Sequence, residues 1–303
     1  MSDTTPFVSV IIPVYNDYDR LKKCLEILDT QTYPKHAYEV IVVDNNSTDD
    51  IKSLVEQFRQ TKYEYESIPG SYSARNKGLS VATGDILGFT DSDCVPAATW
   101  VEKGVANILT HAGCGLVAGC INFSFQNPEN PHPVELYDSL YFLQQEKYIE
   151  EDHFGATANL FTTRQIFDAV GLFNATLKSG GDREWGERVY AAGYEQIYAA
   201  EVEIAHPARA SFEELNKKLR RVYKGGFYIN KKSEIPILNL LKELTFDIKP
   251  PARFLFRVLK ERGIDDRKKR ISVVILYMSL KISKAVTELQ LYWQERWNLQ
   301  SVS

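Results

Sequence analysis

The stretch Gly84-Asp-Ile-Leu-Gly-Phe-Thr-Asp-Ser-Asp93 carries the decision about the fold. Ile86 to Phe89 is a short apolar run that stops abruptly at polar residues, as a strand buried on both faces does. Thr90-Asp91-Ser92-Asp93 follows at its carboxyl end. Two carboxylates two positions apart at such an edge can bind one hard divalent cation and also reach a ribose hydroxyl. An isolated Asp-x-Asp is equally a solvated turn, so its meaning depends on its neighbours.

Upstream, Val8-Ser-Val-Ile-Ile12 is a second apolar run, ended by Pro13, and Asp19 to Gln31 carries Leu21, Leu25 and Leu28 at helical spacing. Val40-Ile-Val-Val43 is another buried strand, closed by the turn Asp44-Asn-Asn-Ser-Thr-Asp49 with an N-cap expected at Ser47 or Asp49. Ile51, Leu54, Val55 and Phe58 share one helical face. Tyr63 to Ile68 is predicted as a strand and Ser73 to Ala82 as a helix. Strands alternating with helices over about 90 residues predict a right-handed parallel α/β sheet. Ligands of such sheets bind beyond the carboxyl ends of the strands, where the polar clusters here fall.

Downstream, a helix and a strand are expected within Val101 to Phe125, then a surface excursion at Pro128, Pro131 and Pro133, then one amphipathic helix from Glu135 to Tyr148. Gly155 to Phe161 leads into Arg164 to Val170, and Glu184 to Ala192 reads as a helix capped at Gly193. Trp100 and Trp185 are open to two readings, core or sugar platform. Past His206 the chain turns basic and aromatic, with breaks at Pro236, Pro250 and Pro251.

The 303 residues are 44% hydrophobic and 25% charged, which excludes wholesale disorder and collagen. The four cysteines show no Cys-x-x-Cys pairing, so neither a disulfide scaffold nor a zinc knuckle is expected. No basic leader precedes the first strand, and the ten-residue run Ile271 to Leu280 is about half a bilayer span, so a cytoplasmic location is expected. The net charge of -4 hides an asymmetry. Met1 to Leu215 holds 16 Lys+Arg against 32 Asp+Glu, whereas Asn216 to Ser303 holds 20 against 8. A body at -16 repels nucleic acid; a tail at +12 meets something anionic.

Taken in order, Val8-Ser-Val-Ile-Ile-Pro-Val-Tyr-Asn16, Ile41-Val-Val-Asp-Asn-Asn-Ser-Thr-Asp49, Ala74-Arg-Asn-Lys-Gly78 and the opening stretch resemble glycosyltransferase family 2. The resemblance runs from about Phe7 to Arg209. It implies an α/β GT-A fold, Rossmann-like, with a mostly parallel central sheet flanked by helices and a C-terminal helical extension. The implied domains are a glycosyltransferase domain over 1–210, with a nucleotide-binding half 1–95 and an acceptor and catalytic half 96–210, and a basic extension over 211–303. The implied activity is inverting sugar transfer from a nucleotide-diphosphate sugar, a UDP-sugar first, to a hydroxyl of a glycan or lipid-linked acceptor, aided by Mg²⁺ or Mn²⁺. Asp44 and Arg75 would contact the nucleobase region, Asp91 the ribose and Asp93 the metal, with Pro13, Tyr15 and Asn16 beside them. Gly155-Ala-Thr-Ala-Asn159 resembles the segment beneath the donor sugar, which implicates Asn159. Gly180-Gly-Asp-Arg-Glu-Trp-Gly-Glu-Arg188 resembles the family's G-E-D motif: Asp182 falls on the general base, and Glu184 and Arg188 keep register. Gly181 departs from the family's usual Glu. His206, in Ile204-Ala-His-Pro207, is implied as a second metal ligand.

Two other functions fit such a fold. A sugar-1-phosphate nucleotidyltransferase needs a Gly-rich basic loop after the first strand, where Pro13-Val-Tyr-Asn16 stands instead. A non-catalytic nucleotide-sugar binder stays open because of Gly181. In the tail, Arg253, Arg257, Lys260 and Arg262 alternate with Phe254, Leu255, Phe256, Val258 and Leu259, and Arg267-Lys-Lys-Arg270 precedes Ile271. That mixture predicts peripheral docking on an anionic membrane face; packing against the catalytic domain or a dimer contact is the alternative.

Overall fold

A computed structural model describes residues 5–230, 232, 234–248, 252–260 and 267–301. The chain divides into two compact units, Met1–Phe123 with Leu143–Pro207, and Ser124–Phe142 with Ala208–Ser303.

The first unit is built on a mixed sheet. Its strands are β1 (Val8–Val14), β2 (Tyr38–Asp44), β3 (Thr61–Tyr65), β4 (Ile86–Thr90), β5 (Val95–Pro96), β6 (Leu116–Ser124), β7 (Asn159–Thr163) and β8 (Gln196–Pro207). They lie in the order β3-β2-β1-β4-β7-β6-β8-β5. The ladders β3-β2, β2-β1 and β1-β4 are parallel, as the strand–helix alternation predicts. β7 then runs antiparallel to both β4 and β6, and β5 antiparallel to β8.

Helices α1 (Tyr18–Leu28), α2 (Ile51–Val55), α3 (Ser71–Val81), α4 (Trp100–Thr110), α6 (Gln145–Asp152), α7 (Arg164–Val170) and α8 (Gly181–Ala191) cover the sheet. All seven residues of β1 are buried. Val8, Val10 and Ile12 point into the core that holds Leu21, Leu25 and Leu54. Ile11 points into the opposite core, with Ala74, Phe89, Phe167 and Trp185. Two buried faces account for the nearly continuous apolar run. α3 lies close on β1 because position 78 is glycine: a Cβ there would stand 2.6 Å from Ile11 Cγ2.

The expected helix Glu135–Tyr148 is two helices, α5 (Pro133–Tyr141) and α6, separated at Leu143 with φ +52°. The physical reason is that the two halves serve different cores. Ile149 of α6 joins the sheet core beside Leu116 and Trp185, whereas Tyr137 of α5 stacks among Tyr141, Phe254 and Tyr277 in the second unit.

That second unit consists of α5 with α9 (Phe212–Ile229), α10 (Ile237–Ile248), α11 (Ala252–Lys260) and α12 (Arg267–Ser301). Segment 124–142, which the sequence reading grouped with 1–210, belongs here. Phe227, Leu240, Leu244, Leu291 and Tyr292 form its apolar centre. Asp138 is fully buried, receiving Lys218 Nζ at 2.7 Å and the Arg209 N–H at 3.0 Å. Lys232 Nζ reaches buried Glu288 at 3.0 Å. Among the described residues no helix is long and apolar enough to cross a membrane.

Candidate active site

The parallel strands end at one edge, and the loops leaving it are laced together. Asn16, after β1, adopts φ +48°. Its Oδ1 accepts from the Thr48 N–H at 2.7 Å, and its own N–H donates to Ser47 Oγ at 3.0 Å. In the turn after β2, buried Asp44 accepts from the Ser47 N–H at 2.8 Å and from the Tyr63 hydroxyl at 3.1 Å. Burial and the Asp44 charge push the Tyr63 phenol up to about 12, so it stays protonated and donates. Asp50, not Ser47 or Asp49, caps α2 by accepting from the Ser53 N–H; Ser47 is already engaged with Asn16 and Asp44. Asn45 donates to the carbonyls of Glu66 and Ile68 and accepts from the Gly70 N–H, fixing the loop that delivers α3.

The register of β5 on β8, Val95 opposite Ala205, carries His206 to the end of the Asp91-Ser92-Asp93 turn. His206 Nε2 lies 3.6 Å from Asp93 Oδ1, and Asp93, Cys94 and His206 hold their ligand atoms within 4.8 Å of one another. His206 Nδ1 lies 2.9 Å from the Pro207 carbonyl. With the proton on Nδ1, the Nε2 lone pair faces Asp93, the tautomer a cation requires. Burial first, then the neighbouring aspartates, push the Cys24 and Cys94 thiols up, so both remain protonated. Asp93 and His206, a carboxylate and an imidazole, fit a divalent cation. Arg20 pairs with Asp17 at 2.5 Å and lies 3.9 Å from Asp93, while Ser92 Oγ donates to Asp17 at 2.8 Å.

A second chain of contacts leads away from Asp91. The buried Arg75 guanidinium binds Asp91 Oδ1 through Nη2 and lies 5.6 Å from the centre of the Tyr72 ring. Its Nε is buried without a hydrogen-bond partner. Such a donor costs about 1–3 kcal/mol until something accepts from it. The Tyr72 hydroxyl in turn donates to Asp182 Oδ1 at 3.0 Å. Asp182 stands in the first turn of α8, where it also accepts from the Arg183 N–H at 3.0 Å.

The sequence matches the profile described as glycosyl transferase family 2 over residues 9–171. It is 43% identical over 235 residues to glycosyltransferase AglE of Haloferax volcanii, spanning 76% of each chain. The chain belongs to glycosyltransferase family 2. It is a glycosyltransferase. A relative from Methanococcus voltae, named dolichyl N-acetyl-alpha-D-glucosaminyl phosphate 3-beta-D-2,3-diacetamido-2,3-dideoxy-beta-D-glucuronosyltransferase, is 25% identical over 232 residues, 70% of each chain. The fold is similar to that of the mannosyltransferase PcManGT from Pyrobaculum calidifontis, solved with GDP-Man and Mn²⁺. The TM-score is 0.64 at 19% identity, over 95% of this chain and 88% of that one.

Contacts link Asn16 and Asp44 through Ser47, Arg75 with Asp91 and, by way of Tyr72, with Asp182, and Asp93 with His206, but not every residue the motifs point to. Asn159 is a correction. Fully buried, it accepts from Trp100 Nε1 at 2.8 Å and donates to the carbonyls of Cys120 and Val202, so it ties strands together instead of facing a ligand. Glu184 and Arg188 pair with each other at 2.8 Å, and Arg188 binds the carbonyls of Val170 and Leu172. They brace the turn after α7. Trp100 and Trp185 are both fully buried and belong to the core. Pro13 does not end β1 as expected but lies buried within it, the strand running on to Val14, and Tyr15 is 63% exposed. Sequence reasoning missed Tyr72 and Arg20. Tyr72 stands three residues before Arg75, one helical turn, and that spacing was the available signal.

Proposed function

We propose that this glycosyltransferase transfers a sugar, with inversion, from a nucleotide-diphosphate sugar to an acceptor hydroxyl. The observation that supports the reading is the run of contacts Asp91–Arg75–Tyr72–Asp182, which links a carboxylate in the first turn of α8 to the acidic turn after β4. Asp182 takes the acceptor hydroxyl's proton as that oxygen attacks the anomeric carbon, and the bond to the diphosphate oxygen breaks on the opposite face. Positioned proton acceptance of this kind contributes about 10²- to 10⁴-fold. Asp44 and the unpartnered Arg75 Nε serve the nucleobase end, and Asp91 the ribose. Asp93 and His206 would hold a divalent cation, Mn²⁺ or Mg²⁺, which when bound supplies positive charge against the diphosphate leaving group. UDP-sugars are the first donors to test and GDP-mannose the second, the latter because PcManGT binds it.

A lipid-linked acceptor is in keeping with the Methanococcus voltae relative, whose name specifies one, and with α12. Ile271, Ile275, Ile282, Val286, Trp293 and Trp297 are all exposed along that helix. They form three pairs spaced eleven residues apart, and eleven residues close three turns to within about 20°, so all six share one outward face about 39 Å long. No carboxylate joins them among the described residues. Glu288 is buried, and Glu295 accepts from Tyr228. Phe256 and Leu259 of α11 are also exposed, and Arg267 and Lys268 begin α12. The side chains of Arg253 and Arg257, and all of Arg262, lie outside the described residues. A second copy would bring another +12 tail and be repelled; an anionic bilayer takes both the charge and the apolar face.

The test is a pair of variants. Asp182→Asn removes turnover and keeps donor binding, whereas Asp93→Ala weakens cation-dependent donor binding. Normal activity in both overturns the assignment.

A further inference from the structure

Position 181 is glycine where the motif usually carries a large side chain, and the structure gives a reason within this chain. A Cβ at Gly181 would stand 2.8 Å from both Cδ2 and Cε2 of Tyr72 and 2.9 Å from its Cγ. That ring has little room to retreat. Tyr72 is buried, its ring centre lies 5.9 Å from that of Phe173, and the Arg75 guanidinium lies against it. Gly181 is the first residue of α8 and has an ordinary backbone angle, since among the described glycines only 70, 113, 171, 180 and 193 have positive φ. Glycine is required at 181 by the space the phenol occupies, not by backbone geometry.

We propose that Tyr72 takes over the place of the absent side chain and is the positioning residue of Asp182. Its hydroxyl holds Oδ1 of the carboxylate, leaving Oδ2 for the acceptor hydroxyl, and its ring joins the base to Arg75 at the nucleotide end. Burial, and then the Asp182 charge, push the Tyr72 phenol up from its ordinary value, so the hydroxyl stays a donor throughout the working range. This rests on the reading of Asp182 as the base. It also removes the argument for a non-catalytic binder, because Gly181 reflects an exchange of side chains instead of a loss.

The experiment measures kcat, donor KM and melting temperature for Tyr72→Phe, Gly181→Ala, Gly181→Glu, the double variant Tyr72→Ala/Gly181→Glu, and Asp182→Asn. Tyr72→Phe keeps the ring and loses one hydrogen bond to a charged group. Its kcat falls roughly ten- to a hundredfold, while donor KM stays within about twofold and the fold is retained. In an open helix start, Gly→Ala raises stability; here Gly181→Ala lowers the melting temperature, and Gly181→Glu lowers it further. The double variant recovers stability above Gly181→Glu alone and recovers kcat above it. Wild-type kcat in Tyr72→Phe, with Asp182→Asn inactive, overturns this inference alone. An active Asp182→Asn overturns the reading of the base. A Gly181→Ala as stable as the parent overturns the steric exchange.

Discussion

Arg75→Lys separates geometry from charge at the nucleotide end, because the net charge is unchanged and only the planar fork is lost. Arg75 is 3% exposed, binds Asp91 Oδ1, lies 5.6 Å from the Tyr72 ring centre and keeps one buried Nε–H without a partner. A shorter ammonium retains part of the attraction to Asp91 but loses the ring contact, about 0.5–1 kcal/mol, and the Nε–H. If that N–H meets an acceptor on the bound nucleotide, a further 1.5 kcal/mol or so is lost. The ring contact is internal to the protein and is lost from its free and bound states alike, so the Nε–H alone, about 1.5 kcal/mol, counts against binding, roughly tenfold weaker nucleotide affinity. The loss of the ring contact also lowers stability, by no more than about 1–2 kcal/mol, so the variant still folds. Isothermal titration with UDP and GDP in the presence of Mn²⁺, alongside a denaturation curve, measures both quantities. Both nucleotides binding within twofold of the parent, at reduced stability, would show that Arg75 only braces Asp91 and Tyr72, and the assignment of its Nε to the ligand would fall.

Three further outcomes are expected. Burial pushes the Glu39 carboxyl up, but Lys62, Ser9 and Thr83 outweigh it and hold the carboxyl below its ordinary value of 4.5. Its stabilising contribution is therefore full above pH 4.5 and disappears as the pH falls through the depressed folded value, and Glu39→Gln should flatten that part of the stability curve in acid denaturation. Gly78→Val should destabilise by several kcal/mol or abolish folding, since a Cβ already meets Ile11 Cγ2 at 2.6 Å and Val43 Cγ2 at 3.2 Å between helix and sheet; a melting temperature equal to the parent's refutes that packing argument. The protein should sediment with phosphatidylglycerol vesicles, less so in high salt, and Ile282→Ser/Trp293→Ser/Trp297→Ser should reduce the bound fraction several-fold at unchanged stability. Binding that is indifferent to both changes, or a salt-independent dimer in its place, removes the membrane from the proposed function.

What the sequence disclosed, and what it withheld, follows from how local each constraint is. β1, β2 and β4 are legible because every residue of each is buried, so nearly continuous apolar runs stand in the text, whereas β3 is only partly buried and runs Thr61–Tyr65, not the expected Tyr63–Ile68. Asp44, Asp91 and Asp93 are legible because a strand end fixes where a polar residue goes. The breaking of Glu135–Tyr148 into α5 and α6 is not legible, since each half keeps helical spacing and only the destination of its apolar face changes. Asn159 misleads for a related reason: the same amide that suits a ligand suits two strand carbonyls and the indole of Trp100 on α4, and a linear pattern does not distinguish them. Gly181 is the sharpest case. Read along the chain it looks like a motif losing a side chain, and only the partner 109 residues earlier, Tyr72, shows why the space is already filled. A residue whose identity is set by a distant neighbour's volume carries its explanation in that neighbour, and so a departure from a motif is weak evidence of lost function until the atoms around the altered position have been examined.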